Sequence, residues 1–147
     1  MIHFETLQDK IKKLEGPIFV FGASGFIGAN IVNDIFTVRN DIFAITHDAN
    51  SAWRLKLVDT PAKNILHCDI TSSSSVKNIF DKYKPKTVFN LAAYGAYSKQ
   101  SDTKLIYETN VNGTVNILDN CVGINAYIHA GSSSEYWQRD GTTHGYP

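Results

Sequence analysis

Apolar positions along the chain alternate between two rhythms, one of continuous short runs and one of three-to-four-residue spacing. Leu7, Ile11 and Leu14 share one helical face and predict a short leading helix over about residues 5–15, ended by Gly16-Pro17. "PIFVF" (17–21) is a continuous apolar run suited to a strand covered on both faces. Ile27, Ile31 and Ile35 then recur every four residues, with Val32 and Phe36 beside them, and predict a helix over about 26–38. "DIFAIT" (41–46) and "NILHC" (64–68) read as the next two strands. Val76, Ile79, Phe80 and Tyr83 mark a helix that stops before Pro85, with the serines of 72–75 as its loop and N-cap. "TVFNLAA" (87–93) is a strand running into a turn of small residues. Val111, Val115, Leu118 and Val122 predict a longer helix over about 102–122, and "AYIHA" (126–130) a last strand.

After the leading helix the order is β-α-β-β-α-β-α-β. Strands alternating with helices of this length call for an α/β fold with a parallel sheet covered on both faces. The right-handed crossover rule then predicts a doubly wound sheet of about five strands. No internal repeat or low-complexity tract interrupts the pattern.

Composition narrows the function classes. The 147 residues suffice for one domain with a real core, and 43% hydrophobic with 19% charged residues is ordinary for a soluble globular protein. Fourteen basic residues balance fourteen acidic ones, which leaves no electrostatic footprint for nucleic acid or an anionic membrane. No apolar run approaches a membrane span, and the polar, amphipathic "MIHFETLQDKIKKLEG" is no secretory signal, so a cytoplasmic protein is expected. Cys68 and Cys121 fit no metal spacing and read as small buried residues of a reducing compartment. The five histidines are scattered, so no metal site is expected. The sequon Asn112-Gly113-Thr114 reads as a chance match.

The candidate chemistry lies in "VFGASGFIGAN" (20–30), a turn between a strand and a helix. Gly22 permits the tight turn, Gly25 lets a pyrophosphate approach the backbone, and Gly28 lets the helix pack close to the sheet. Free N–H groups near Ser24, Phe26 and Ile27 face the phosphates there, helped by the helix N-terminus. The spacing is Gly-x-x-Gly-x-x-Gly, not Gly-x-Gly-x-x-Gly, and no Gly-Lys-Ser/Thr follows, which argues against a nucleotidase or kinase loop.

"GASGFIG" resembles the nucleotide loop of the extended short-chain dehydrogenase/reductases, the family of nucleotide-sugar epimerases, dehydratases and reductases. The likeness continues, in the family's order and at roughly its spacing, through "CDIT" (68–71), "NLAAYGAY" (90–97), "NVNGTVNILDNC" (110–121) and "IHAGSSSEY" (128–136). It implies a Rossmann-like sheet over residues 17–136, preceded by the leading helix of 1–16 and followed by an atypical tail of 137–147.

In that resemblance the Asp69 carboxylate accepts from the adenine amino group and Ile70 lies against the ring; a strand-end cap is the alternative for Asp69. Leu91, Ala92, Ala93 and Tyr94 let the backbone pass close to the cofactor's ribose and phosphates, or serve packing alone. Asn110 orders backbone and cofactor contacts, or makes a purely structural hydrogen bond. The cofactor is NADP or NAD. The end of the second strand falls at Thr46, which is uncharged, followed by His47 and Asp48. Arg54 is placed to meet a 2′-phosphate, Asp48 to reach the ribose instead, and a solvated surface charge is the other reading of Arg54. The balance leans to NADP. Ser132 is implied as the residue that hydrogen-bonds the substrate's reacting oxygen, and a one-residue register change exchanges it with Ser133 or Ser134.

The chain also departs from the family's pattern. The tyrosine and lysine that move the proton lie roughly 25 residues after the active serine, whereas the last residue here is Pro147. Tyr146 comes too early and no lysine follows it, and Trp137 stands where the family usually has glycine. The tail therefore reads as foreign or altered, and the 147 residues are expected to lack activity and the substrate-binding half. That expectation leaves one sheet edge and one face bare, a surface that invites pairing and leaves a homo-oligomer open. The first reading is the NAD(P)-binding portion of an enzyme that transfers hydride at a carbon of a nucleotide sugar. The alternative is a non-catalytic NAD(P)-binding or interaction module.

Overall fold

The computed structural model describes residues 5–50, 52–95 and 99–132. A leading helix α1 (Leu7–Lys13) opens the chain, capped by Thr6, whose hydroxyl accepts from the Asp9 amide while the Asp9 carboxylate accepts from Thr6 N–H. Then come β1 (Ile18–Phe21), α2 (Phe26–Phe36), β2 (Ile42–Thr46), α3 (Trp53–Leu57), β3 (Ile65–His67), α4 (Ser73–Tyr83) and β4 (Thr87–Asn90). A helical run follows, made of α5 (Thr103–Tyr107), a π segment (Glu108–Asn112) and α6 (Gly113–Asp119), before β5 (Ala126–His129). Lys84, in the left-handed region, closes α4 one residue before Pro85.

The five strands form one wholly parallel sheet in the order β3-β2-β1-β4-β5. This is the doubly wound arrangement expected from the alternation of elements. Winding reverses between β1 and β4, so the helices that follow these two strands cover opposite faces of the sheet.

Alternation along β1 divides the core in two. Ile18 and Val20 point to one face, where Ala29, Val32 and Ile35 of α2 and Leu55 of α3 cover them. Phe19 and Phe21 point to the other, against Val76 and Phe80 of α4 and Ile117 of α6. The second face is aromatic: Phe19 and Phe80 meet edge to face with centroids 5.4 Å apart. Burying each such phenyl ring contributes about 1.5–3 kcal/mol. The leading helix is tied on by Arg39, which pairs with Asp41 at 2.6 Å and donates to the carbonyl oxygen of Leu14.

Two elements differ from expectation. Helix α3 went unforeseen because "WRLKL" spaces its apolar residues by two, and only Leu55 is buried. The long helix of 102–122 is shorter and contains the π segment, and the stripe that announces it is not its buried side. Val111, Val115 and Leu118 are 41%, 47% and 46% exposed, and Val122 is 88% exposed. Gly113 and Ile117 face inward instead. Gly113 favours this side, because a Cβ there would stand 2.7 Å from Ile70 Cδ1 and the Ile70 side chain would have to shift to admit it. Among the described residues, no helix is long and apolar enough to cross a membrane.

Candidate functional site

The carboxyl ends of the strands surround a cleft of about 530 Å³, within the usual size of a small-molecule site. Its floor is the turn after β1. Gly22 has φ +71°, and a Cβ on it would lie 2.6 Å from the Leu91 carbonyl and 2.7 Å from the Ala92 nitrogen. The turns after β1 and β4 therefore touch through a residue with no side chain. Gly28 has the same importance one helical turn later, since its Cβ would stand 2.3 Å from the Gly22 carbonyl oxygen. Gly25 is the N-cap of α2, makes no side-chain cap and leads into a first turn without acidic residues. A Cβ on Gly25 would meet only the Gly22 carbonyl within contact range, so any side chain there would project into the cleft it lines. A bare helix N-terminus facing open space is suited to an anion such as a pyrophosphate.

One wall is built at the ends of β2 and β3. Thr46 is buried, and its hydroxyl lies 3.1 Å from Ser24 Oγ and accepts from the Asp48 amide at 3.3 Å. Arg54 reaches back from α3 to the Ser24 carbonyl, with Nη1 at 3.4 Å. Asp69 accepts from the Thr71 amide at 2.9 Å and its hydroxyl at 2.8 Å. Partial burial pushes the Asp69 carboxyl up, but the two Thr71 hydrogen bonds and the nearby His47 and His67 hold it below the ordinary aspartate range. Ile70 is anchored by Asn116, whose amide donates to the Ile70 carbonyl at 2.8 Å.

The opposite wall is the turn after β4. Asn90 is fully buried; its amide donates to Tyr127 Oη (3.1 Å) and Thr114 Oγ1 (3.3 Å), while its oxygen accepts from the Ala92 amide (3.3 Å). Asn110, in the π segment, grips Tyr94 from both sides. Its oxygen accepts from the Tyr94 amide and its nitrogen donates to the Tyr94 carbonyl, each at 2.8 Å.

Of the residues singled out from the sequence, Gly22, Ser24, Gly25, Thr46, His47, Asp69, Ile70, Leu91, Ala92, Ala93 and Tyr94 line this one cleft. Phe26 and Ile27 are 73% and 58% exposed at the start of α2 and lie outside its lining, as do Gly28, Arg54, Asn110 and Ser132. Ser132 stands just beyond β5, on the exposed side of the chain. Ser133, Ser134, Trp137 and Tyr146 lie outside the described residues. Sequence reasoning missed Asn90 and Asn116, which brace the walls, and Thr71, Leu105, Glu108 and Thr109, which belong to the lining together with Phe21, Ile45, Asp48 and Cys68. Only Asn90 carried a signal: a polar residue ending an apolar strand. No group of three or more His, Cys, Asp or Glu is placed to hold a metal among the described residues.

The family model of the NAD dependent epimerase/dehydratase family matches residues 18–144. A dTDP-glucose 4,6-dehydratase of Haemophilus influenzae is 31% identical over 107 residues, 69% of this chain and 32% of that protein. A UDP-glucuronate 4-epimerase of Thermodesulfobacterium geofontis is 27% identical over 131 residues, 82% of this chain and 41% of that protein. Among solved structures, the epimerase Mth375 of Methanothermobacter thermautotrophicus superposes with a TM-score of 0.76 at 19% identity, over 95% of this chain and 42% of its own. The Bordetella bronchiseptica enzyme WbmG, in complex with NAD and UDP, gives 0.67 at 22% identity, over 80% of this chain and 38% of its own. The chain spans about a third of the length of the first curated relatives it matches.

Proposed function

The chain belongs to the NAD dependent epimerase/dehydratase family, and from that premise we propose that residues 17–136 are the NAD(P)-binding portion of an enzyme acting on a nucleotide sugar by hydride transfer at a sugar carbon. The observation that carries this reading is the cleft at the point where the sheet reverses its winding, floored by the glycine turn and the bare N-terminus of α2. The donor set suits a dinucleotide. The backbone at Gly25 and the first turn of α2 would hold the pyrophosphate. Asp69 would accept from the adenine amino group, with Ile70 against the ring, and the turn of Ala92, Ala93 and Tyr94 would border the ribose. Asn110 acts through Tyr94, as a positioning residue. When bound, the nicotinamide supplies the hydride acceptor, and the protein orients it. Ser132, or its neighbour Ser133 or Ser134, would hydrogen-bond the reacting oxygen of the sugar.

Calorimetric titration of the chain with NADH and NADPH tests this reading. Binding of at least one is expected, with Gly25→Val abolishing it because the new side chain fills the cradle. Absence of binding by either nucleotide removes the proposal. A second assay follows nucleotide-sugar turnover. No Tyr-x-x-x-Lys occurs in these 147 residues, so binding without turnover is the expected outcome, and a chain that turns over a nucleotide sugar would refute the need for that pair.

A further inference from the structure

Asn90 ends β4 with a side chain that has no access to water, 0% exposed. A buried carboxamide needs partners for its N–H groups and for its oxygen. Here they come from β5, from α6 and from the turn that follows β4. One N–H goes to Tyr127 Oη (3.1 Å), the other to Thr114 Oγ1 (3.3 Å), and the oxygen accepts from the Ala92 amide (3.3 Å). A hydroxyl can donate or accept, so it does not by itself select which end of a carboxamide it holds. For Tyr127 the selection is made by His129. Tyr127 Oη lies 3.4 Å from His129 Nδ1, and the two rings stack 8° from parallel. Burial raises the Tyr127 pKa and keeps the phenol protonated. With that proton given to His129 in its Nε2–H tautomer, Tyr127 turns lone pairs toward Asn90 and receives an N–H. The bonds therefore run one way, from the Ala92 amide through Asn90 and Tyr127 to His129, and each polarises the next.

The chain of bonds starts at the Ala92 nitrogen, the atom that would stand 2.7 Å from a Cβ on Gly22. The amide that Asn90 holds thus sits against the glycine turn, and displacing it moves the floor of the cleft as well as its wall. Asn110 holds the other end of the turn through Tyr94. Asn90, Thr114 and Tyr127 are all absent from the cleft lining, so their effect on a bound nucleotide passes through Ala92. We infer that Tyr127 and Thr114 are positioning residues for the cofactor, acting through Asn90: their hydroxyls fix its carboxamide with the oxygen toward Ala92, and so set the shape of the cradle before the nucleotide arrives. The inference rests on the reading that the cleft takes NAD(P), and adds to it two remote hydroxyls on which affinity depends.

The experiment compares the whole unmodified chain with Tyr127→Phe, with Thr114→Val, with the two combined, and with Tyr127→Phe combined with Thr114→Ser. Each is checked for folding by circular dichroism and titrated calorimetrically with NADH and NADPH. Amide exchange at Ala92 is followed by NMR beside that of Val88, which β4 pairs on both sides. Each single variant leaves one hydroxyl on Asn90 and is expected to bind within about 3-fold of the unmodified chain. Tyr127→Phe with Thr114→Val leaves none. It is expected to weaken the better-bound nucleotide about 10-fold or more, and to lose protection at Ala92 to a greater extent than at Val88. Tyr127→Phe with Thr114→Ser returns one hydroxyl and is expected to recover both binding and Ala92 protection. Failure of serine to recover them overturns the inference. Equal loss of protection at Ala92 and Val88 also overturns it, because the hydroxyls then serve the stability of the sheet alone. If the unmodified chain binds and the valine combination binds as well as it does, the inference falls and the dinucleotide site stands. If the unmodified chain binds neither nucleotide, the reading beneath falls and takes the inference with it.

Discussion

At Gly28 a single methyl group has nowhere to go. Its Cβ would stand 2.3 Å from the Gly22 carbonyl, a backbone atom inside the turn rather than the end of a movable side chain. Gly28→Ala is expected to cost about 1–3 kcal/mol, seen as a lower urea midpoint at unchanged slope. An unchanged midpoint would show that the turn yields instead. Asp69 makes a prediction in pH. Partial burial raises its pKa, but the Thr71 hydrogen bonds and the neighbouring His47 and His67 leave it lower in the folded protein than in the unfolded chain. A group with a depressed folded pKa stabilises above its unfolded pKa, and that contribution is lost as pH falls through the folded value. The stability gap between the unmodified chain and Asp69→Asn should therefore be open at neutral pH and close below about pH 4. A gap constant across that range would remove the carboxylate's charge from the account. Residues of this kind divide by how far their reasons reach. Gly25 and Gly28 were legible because their reasons lie within ten residues of chain, as does the left-handed φ of Gly22. Asn90 and Asn116 were not, because their partners Tyr127 and Ile70 stand 37 and 46 positions away.

Elements were legible where one face is apolar at one period. β1, α2, β2, α4 and β4 meet that condition and lie within a few residues of their expected bounds. α3 fails it, being five residues long with a single buried side chain. The run from α5 to α6 is the instructive case, because it carries two apolar aspects. The i, i+4 stripe gave the helix correctly and its orientation misleadingly, since periodicity cannot say which side has room to approach the sheet. Gly113 can, but only once Ile70 is known to lie opposite it. The outward stripe makes its own prediction. Val115→Lys and Leu118→Lys replace half-exposed apolar side chains. Each is expected to change unfolding stability by less than about 0.5 kcal/mol while raising solubility, measured as the concentration at which light scattering rises. A large loss of stability would mean that the stripe is packed in solution.

At the scale of the molecule, the alternation of strands and helices was enough to give the parallel, doubly wound sheet, because right-handed crossovers leave few other ways to cover both faces. It could not give the cleft, whose walls come from the ends of four strands and a π segment. The ladder between β1 and β4 joins the two halves of that cleft, and it has a consequence for the order of events when the chain folds. Ile18 pairs with Ile42, 24 residues on, but also with Thr87, 69 residues on. Closing the longer loop costs about 1 kcal/mol more chain entropy, and it brings Gly22 against Leu91 and Ala92 only when it is done. The β1-α2-β2 half should thus assemble early and the nucleotide cradle late. In a stopped-flow refolding experiment, far-ultraviolet ellipticity is expected to return ahead of nucleotide binding. Mutations in β4 would slow only the second of these, making the cofactor itself a clock for the last step of folding.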